Sequence, residues 1–301
     1  MFASGKERSQ PGLLSINGYV HVQWMYDFDR YAVPKHGFDL RRGRIEFRYD
    51  IADKVGAEIE IGCDKLALTA KDAYLEYRIS PALGFTAGLR KMPFSREELT
   101  PASKLFMIER SETNDMFGDQ GYLGRDIGVT LQGESLPFPL PVGYSLGVYN
   151  GNGDRVFEDH NDAKQFCERL TVQPLGAITV GLNGSQRNDS LTGNVLTAWG
   201  ADIAWQTGRV SADAEVLYGN RGTDRRMFGA YLVGAYRLAA FEPGLRLETV
   251  SDNLADSRDR TTAVTAACNL YLYRKVQLKT NLVVRFPDWQ PKFVAQAQVG
   301  F

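Results

Sequence analysis

The sequence is poor in cysteine and carries no surplus of charge of either sign. Its three cysteines in 301 residues are too few for a disulfide scaffold, and no Cys/His pattern has the spacing of a zinc site. The 35 Lys and Arg residues against 36 Asp and Glu give a net charge of −1, whereas nucleic-acid-binding proteins usually have a basic surplus. We therefore expect no metal, no other cofactor and no nucleic acid partner.

Long apolar runs are also missing. No uninterrupted apolar stretch approaches the roughly 20 residues that a membrane-spanning helix requires. Residues 1–8 lack the apolar core of a secretory signal peptide. Two interpretations remain open: a cytoplasmic protein, or a mature sequence whose leader has been removed. The alternation of polar and apolar residues favours the second.

Polar and apolar residues alternate over long segments of the chain. In the first segment, Val20, Val22 and Trp24 alternate with His21 and Gln23, which is the pattern of a β-strand with one apolar and one polar face. Helical spacing explains none of these runs. Sixteen strands are predicted, at residues 13–28, 38–51, 55–62, 66–79, 83–92, 122–133, 142–150, 164–172, 175–186, 195–206, 209–218, 226–239, 244–250, 260–272, 275–285 and 292–301.

The connections between these strands alternate between short and long. Outer-membrane barrels have this asymmetry, with short periplasmic turns and longer outer loops, whereas a soluble β-sandwich gives no reason for it. The longest connection is residues 93–121, which would be the third outer loop. The alternation slips at residues 63–71, where we expect a β-bulge or the edge of a loop.

Charged residues within the predicted strands share the polar face, and the opposite face is nearly free of them. A soluble barrel buries apolar groups, whereas a membrane barrel with a water-filled lumen reverses this arrangement. Aromatic residues of the apolar face lie near strand ends, where membrane-interface girdles belong. The pattern predicts an all-β protein, a 16-stranded antiparallel transmembrane β-barrel over residues 13–301, with residues 1–12 as a periplasmic extension.

Several motifs resemble the phosphate-selective porin O/P family. The strongest is GLRKMPFSREELT at residues 88–100, followed by GRDIG at residues 124–128. The resemblance extends from about Gly18 to Phe301, and the terminal Phe301 resembles the assembly signal of bacterial outer-membrane proteins. It implies an outer-membrane porin for passive diffusion of small hydrophilic solutes, with a preference for phosphate-like anions. It also implies a homotrimer in contact with membrane lipid and lipopolysaccharide.

The resemblance further implies that residues 93–121 fold into the lumen and constrict the pore. This loop is too apolar to extend freely into solvent. The alternative is an extracellular lid that packs on neighbouring loops. The residues expected at the constriction are Phe94, Arg96, Glu97, Lys104, Phe106 and Arg110.

Three arginines, Arg42, Arg44 and Arg48, share one face of the second strand and form a row suited to passing an anion along the wall. The alternative is that they pair with glutamates on adjacent strands. Acidic and basic residues of the wall are close to balanced, which argues against strong phosphate selectivity. The predicted anion pathway comprises Arg42, Arg44, Arg48, Arg78, Arg90, Arg169, Arg246 and Lys279.

An enzyme is not expected. Residues 143–147, GYSLG, match the GxSxG nucleophile motif, but this motif requires a strand–turn–helix elbow and here lies inside an alternating strand. The second function that the sequence allows is a structural barrel, with its lumen plugged by the loop, in a larger outer-membrane complex. The sequence gives no basis for naming the solute.

Overall fold

The computed structural model describes residues 12–134, 136, 140–151, 159, 162–189, 192–222 and 224–301. The predicted periplasmic extension, residues 1–12, therefore lies outside the described residues except for Gly12. Within them the chain forms a closed antiparallel barrel of sixteen strands, in which each strand pairs with its neighbours in sequence and the first pairs with the last. The predicted fold class is confirmed.

All sixteen predicted strands are present, most within three residues of the predicted ends. They are β1 (Leu14–Asp27), β2 (His36–Ala52), β3 (Val55–Asp64), β4 (Ala67–Ser80), β5 (Leu83–Lys91), β6 (Arg125–Gly133), β7 (Val142–Tyr149), β8 (Gln165–Leu175), β9 (Ile178–Asn188), β10 (Val195–Thr207), β11 (Val210–Arg221), β12 (Arg225–Tyr236), β13 (Phe241–Ser251), β14 (Arg260–Tyr273), β15 (Val276–Phe286) and β16 (Gln290–Gly300).

The polar face of the strands lines the interior. On β2 and β3, Arg44 and Glu58 are 8% and 4% exposed, whereas their neighbours Ile45 and Ile59 are 44% and 53% exposed. Apolar side chains are thus displayed outward and charged side chains are enclosed, the reverse of a soluble barrel. The GxSxG serine, Ser145, lies within β7 and is buried, so the motif forms no strand–turn–helix elbow.

A β-bulge in β2 changes which residues face the interior. His21 of β1 pairs with Arg42, but the next residue, Val22, pairs with Leu40, so that Arg41 is an extra residue. In a bulge, two residues oppose one on the partner strand and the alternation of faces is interrupted. Arg41 and Arg42 can therefore both reach the interior, although strict alternation would place Arg41 outside.

The β-bulge expected at residues 63–71 is present in β4. The register of β3 with β4 shifts between Glu60 and Ile61, and Lys71 is the extra residue. Lys71 is buried, and its ammonium group lies 2.9 Å from the carboxylate of Asp64. This second bulge also adds a cation to the interior.

The connection between β5 and β6, residues 92–124, is called the long loop below. It contains α1 (Arg96–Leu99), a 3₁₀ turn (Ala102–Lys104) and α2 (Glu112–Asp119). No helix in the described residues is long and apolar enough to cross a membrane.

The sixth strand was predicted to begin at residue 122, but β6 begins at Arg125. The reason is that Tyr122 and Leu123 are buried in an apolar cluster and do not join the strand ladder. Phe94 and Phe117 of the long loop belong to the same cluster. The wall contributes side chains from β10, β11 and β12 that take the inward positions of those strands: Leu196, Ala198, Leu217 and Met227.

Candidate functional site

Glu215 of β11 holds the first helix of the long loop. Its carboxylate accepts hydrogen bonds from Ser95 Oγ at 2.9 Å and from the backbone N–H groups of Arg96 and Glu97 at 2.7 and 3.3 Å. These N–H groups belong to the first turn of α1, where they have no partner within the helix. A wall carboxylate therefore caps a loop helix, and Ser95 and Glu215 are both almost completely buried.

A second wall carboxylate, Glu248 of β13, binds the start of α2. It accepts a hydrogen bond from the backbone N–H of Glu112 at 2.8 Å. The hydroxyl of Ser111 accepts from the N–H of Asn114 at 3.1 Å and so caps the same helix from within the loop. Both helices of the long loop thus begin against an acidic residue of the barrel wall, which the positive end of each helix favours.

Three of the predicted anion-pathway residues bind backbone carbonyls of the long loop. Arg246 donates to the carbonyl oxygen of Glu109 at 2.9 Å, and Arg42 donates to that of Ile108 at 3.4 Å. Lys279 donates to the carbonyl oxygen of Leu105. These cations come from β13, β2 and β15, so they fix residues 105–109 against a broad sector of the wall. In this arrangement they bind the loop and are not free for a solute.

Glu109 joins the loop to the bulge in β2. Its carboxylate receives two hydrogen bonds from Arg41, at 2.6 and 2.8 Å, and one from Arg42 at 2.7 Å. Burial alone would raise the pKa of Glu109, but the charges of Arg42 and Arg41 outweigh burial and lower the pKa. The bulge makes this two-arginine contact possible, because both guanidinium groups must lie on the same side of the sheet.

Arg110 binds backbone and side-chain groups of other residues in the long loop. It donates to the carbonyl oxygens of Glu97, Glu98 and Thr100, at 3.2, 3.1 and 2.8 Å, and its Nε lies 3.2 Å from the carboxylate of Glu98. Burial opposes ionisation of Glu98, but Arg110 and Lys91 prevail and hold its pKa at about 2. Arg110, predicted at the constriction, is therefore a structural cation of the loop.

Asp115 lies on an exposed side of α2, and no cation of the described chain lies within 4 Å of its carboxylate. Although its side chain reaches solvent, the surrounding protein restricts hydration and raises its pKa to about 6, and the carboxylates of Glu109 and Glu97 add to this effect. The charge of Asp115 therefore changes in the range from pH 5 to 7.

The remaining constriction residues have distinct places in the loop. Arg96 pairs with Asp213 of β11 at 2.9 Å, and Glu97 accepts from the N–H of Ser111 at 2.9 Å. Phe94 is buried in the apolar cluster, and Lys104 is exposed.

Two glycines of the inner wall let the long loop approach closely. A Cβ on Gly244 of β13 would lie 2.5 Å from the ring of Phe106, and one on Gly229 of β12 would lie 2.6 Å from Thr113. Both distances are far below van der Waals contact, so no larger residue fits without moving the loop. Phe106, predicted at the constriction, therefore packs directly on the backbone of the wall.

Four other predicted pathway cations are neutralised by acidic residues of the wall. Arg44 pairs with Glu60 at 3.4 Å and with Asp64. Arg48 lies close to three carboxylates, those of Asp50, Glu58 and Glu76, at 3.2, 3.3 and 3.3 Å. Arg78 pairs with Glu76 at 2.8 Å, and Arg169 pairs with Asp202 at 2.6 Å. The alternative raised from the sequence, pairing of the arginine row with carboxylates of adjacent strands, describes the contacts of Arg44 and Arg48.

Arg90 is the exception among the eight. It lies over the ring of Tyr74, with 5.4 Å between the guanidinium carbon and the ring centre, and donates to Gln132 at 3.4 Å. Within the described part of the chain, no carboxylate lies within 4 Å of either Arg90 or Lys104. Lys279 also has no carboxylate within that distance in the described residues, but it is buried against the carbonyl oxygen of Leu105, whereas Arg90 is half-buried and Lys104 is exposed.

The chain terminus completes the barrel. The N–H of Phe301 donates to the carbonyl oxygen of Gly18 at 3.0 Å, and the N–H of Gly18 donates back at 3.3 Å. A Cβ on Gly18 would lie 2.3 Å from the ring of Phe301, so this glycine makes room for the aromatic ring on the outer face. The role of Phe301 as an assembly signal stays a prediction.

Sequence reasoning did not identify four residues that hold the long loop: Arg41, Glu109, Glu215 and Glu248. A bulge moved Arg41 to the inner face, and no feature of the sequence marks that bulge. Glu215 and Glu248 are visible as inward acids, but their partners are backbone groups of a distant loop, which residue types do not reveal.

Comparison with known proteins gives the family. Residues 16–195, which are 180 of the 301 residues, match the profile of the family described as phosphate-selective porin O and P. A search among curated proteins gives no significant match.

Solved structures share the fold at low sequence identity. The in-vitro folded trimer form of OmpT, an outer membrane protein of Vibrio cholerae, has a TM-score of 0.71 at 10% identity, covering 97% of this chain and 100% of that chain. Salmonella typhi OmpF in complex with daunomycin has a TM-score of 0.72 at 9% identity, covering 96% and 97%. An anion-selective porin from Comamonas acidovorans has a TM-score of 0.68 at 10% identity, covering 96% and 99%.

These structures support the barrel architecture alone, whereas the profile match extends over more than half of the chain. The chain belongs to the phosphate-selective porin O and P family.

Proposed function

We propose that this protein is a passive diffusion channel for small hydrophilic solutes, with a weak preference for anions. The family and the fold are those of a channel in the bacterial outer membrane. The observation that carries the proposal is the reversed distribution of side chains in a closed sixteen-stranded barrel, with charged residues enclosed and apolar residues outward. Solutes pass through the polar interior without a chemical step.

The long loop sets the width of this channel in our proposal. Its backbone is hydrogen-bonded to inward side chains of β2, β11, β13 and β15, which lie on different sectors of the wall. Its apolar residues pack against inward residues of β10 to β12. These contacts support a loop that folds into the lumen and argue against a lid above the barrel.

The weak anion preference follows from the pairing of the wall cations. Six of the eight predicted pathway residues lie within 4 Å of a carboxylate, so these pairs contribute little net field to a passing ion. Arg90, Lys104 and Lys279 have no such partner in the described chain, and Lys279 is buried against the carbonyl oxygen of Leu105, so we assign the preference to Arg90 and Lys104. A strongly phosphate-selective pore would need a larger positive surplus.

Conductance in planar bilayers tests the proposal. Purified protein should give open, ohmic steps, and a salt gradient should give a reversal potential with a small bias toward anions. Protein that is folded by circular dichroism and heat-modifiable on gels but electrically silent would contradict the channel. Silence would favour the structural barrel with a plugged lumen that the sequence also allowed.

We also propose a homotrimer that buries part of each apolar wall against its neighbours and contacts membrane lipid and lipopolysaccharide elsewhere. A solved structure of similar fold is described as a trimer form, which supports this assignment. A heat-labile trimer on unboiled gels is expected, and a monodisperse monomer in mild detergent would contradict it.

A further inference from the structure

One acidic side chain lies on the outer face that the other charges avoid. Glu168 of β8 is exposed, while its neighbours Cys167 and Arg169 are buried and face the interior. Strict alternation therefore directs Glu168 outward. Among the described strand residues away from strand ends, no other Asp, Glu, Lys or Arg takes an outward position.

The strand register gives the height of Glu168 in the wall. A row of directly paired residues runs from Val55, beside a short turn, to Ser251, beside a long loop, and crosses ten strand pairs. Glu168 is five strand pairings away from each end of this row. Because the strands of a barrel tilt evenly around its axis, the fifth step lies halfway up the wall. Glu168 is thus placed at the middle of the apolar belt.

A groove of about 460 Å³ opens on the outer wall around Glu168. Its apolar lining includes Leu146, Phe166 and Trp199. Gly184, between Glu168 and Trp199 in the row, gives the Glu168 carboxylate room to lie over the wall, because a Cβ there would be 2.7 Å from a carboxylate oxygen of Glu168. The volume and the lining, mostly apolar with one charged group, are typical of sites for small organic ligands.

An occupant that carries a cation would neutralise the one charged side chain among the described residues that line this groove. An unpaired carboxylate at hydrocarbon depth is costly, and no cation of the described chain lies within 4 Å of Glu168. The described strands of a second copy offer no outward cation at this height. The amine of a phospholipid headgroup lies at the membrane surface, about 15 Å from the midplane.

We propose that this groove binds a lipophilic amine that is dissolved in the membrane. The ammonium group would pair with Glu168, and its apolar body would fill the groove against Phe166 and Trp199. An aromatic face also attracts a cation directly, most strongly for tryptophan. The site is separate from the lumen, so it adds a binding activity to the proposed channel and does not depend on conductance.

The test uses purified protein in phosphatidylcholine nanodiscs at pH 7 with two probes of similar size, 1-pyrenemethylamine and 1-pyrenemethanol. Energy transfer from tryptophan to pyrene reports binding. We expect saturable transfer with the amine, at least tenfold weaker affinity in Glu168→Gln, and no such difference with the alcohol. Equal affinity of the two probes, or an unchanged affinity in Glu168→Gln, would overturn the proposal.

Two further measurements keep the test decisive. If Glu168→Gln does not fold, competition on the unmodified protein replaces it: dodecylamine should displace the bound pyrene amine and dodecanol should not. Displacement by both to the same extent would refute an amine site. Native mass spectrometry completes the test, because a changed number of subunits in a folded Glu168→Gln protein would make the groove an interface between copies and overturn the proposal.

Discussion

Replacing Glu215 by alanine should release one end of the long loop from the barrel wall. The carboxylate of Glu215 accepts from Ser95 Oγ at 2.9 Å and from the N–H of Arg96 at 2.7 Å, and both bonds join α1 to β11. Alanine removes the acceptor, so the buried hydroxyl of Ser95 and the helix N–H of Arg96 can no longer donate to it. The barrel itself should persist, because the backbone pairing of β11 with its neighbours is unaffected.

The size of the effect follows from these two bonds. A buried donor that loses its acceptor costs about 1 to 3 kcal/mol, so loss of the two shorter bonds costs at least about 2 kcal/mol. Each 1.4 kcal/mol is a factor of ten in an equilibrium constant. The ratio of docked to undocked loop should therefore fall more than tenfold in Glu215→Ala.

Single-channel recording measures this ratio through the frequency and duration of conductance fluctuations. Asp213→Ala is the matched control, since Asp213 has the same orientation two residues earlier and, in the part of the chain that the structure describes, its carboxylate pairs with the side chain of Arg96 alone, at 2.9 Å. That partly exposed ion pair contributes about 1 kcal/mol or less. Glu215→Ala should thus fluctuate far more than Asp213→Ala. Indistinguishable recordings from the two variants would refute the capping role of Glu215.

Three further outcomes are expected. The double variant Arg90→Ala with Lys104→Ala should shift the reversal potential in a salt gradient toward cations, and an unchanged potential would show that neither residue lines the ion path. Asp115, with its pKa raised to about 6, is neutral below and negative above that pH. Cation preference should therefore increase from pH 5 to 7 with a midpoint near 6, and persistence of this titration in Asp115→Asn would assign it elsewhere. Gly229→Ala places a Cβ 2.6 Å from Thr113 of the long loop and should increase current fluctuations, whereas Gly234→Ala, whose nearest neighbour is 4.0 Å away, should not. Equal recordings from the two glycine variants would contradict close packing of the loop on β12.

The strands could be predicted from the sequence because the environment of each face is uniform. A membrane on one side and water on the other impose a period of two over the whole strand, and residues such as Val20 and His21 follow it closely. The prediction failed where another interaction replaced this rule. At the start of β6, Tyr122 and Leu123 take part in apolar packing with the long loop.

The site was less accessible to sequence reasoning than the barrel. Alternation gives the direction of a side chain but not its partner, so it placed Arg42, Arg246 and Lys279 on the inner face without indicating that they bind loop carbonyls. It misplaced Arg41, since a single extra residue in β2 reverses the direction of that side chain. Glu109 was visible only as one of several acids in a long connection.

Because the wall arginines have acidic partners, their number alone does not predict how strongly the pore prefers anions. Counting the basic residues of the inner wall suggests an anion path, but Arg44, Arg48 and Arg169 are each within 3.4 Å of a wall carboxylate. A neutralised pair contributes a dipole whose field falls off faster than that of a charge. Selectivity therefore depends on the few groups that lack such a partner. In this barrel, one substitution at Arg90 should therefore alter ion preference more than removal of a complete ion pair, such as Arg169→Ala combined with Asp202→Ala, because only the first changes the net charge of the lumen.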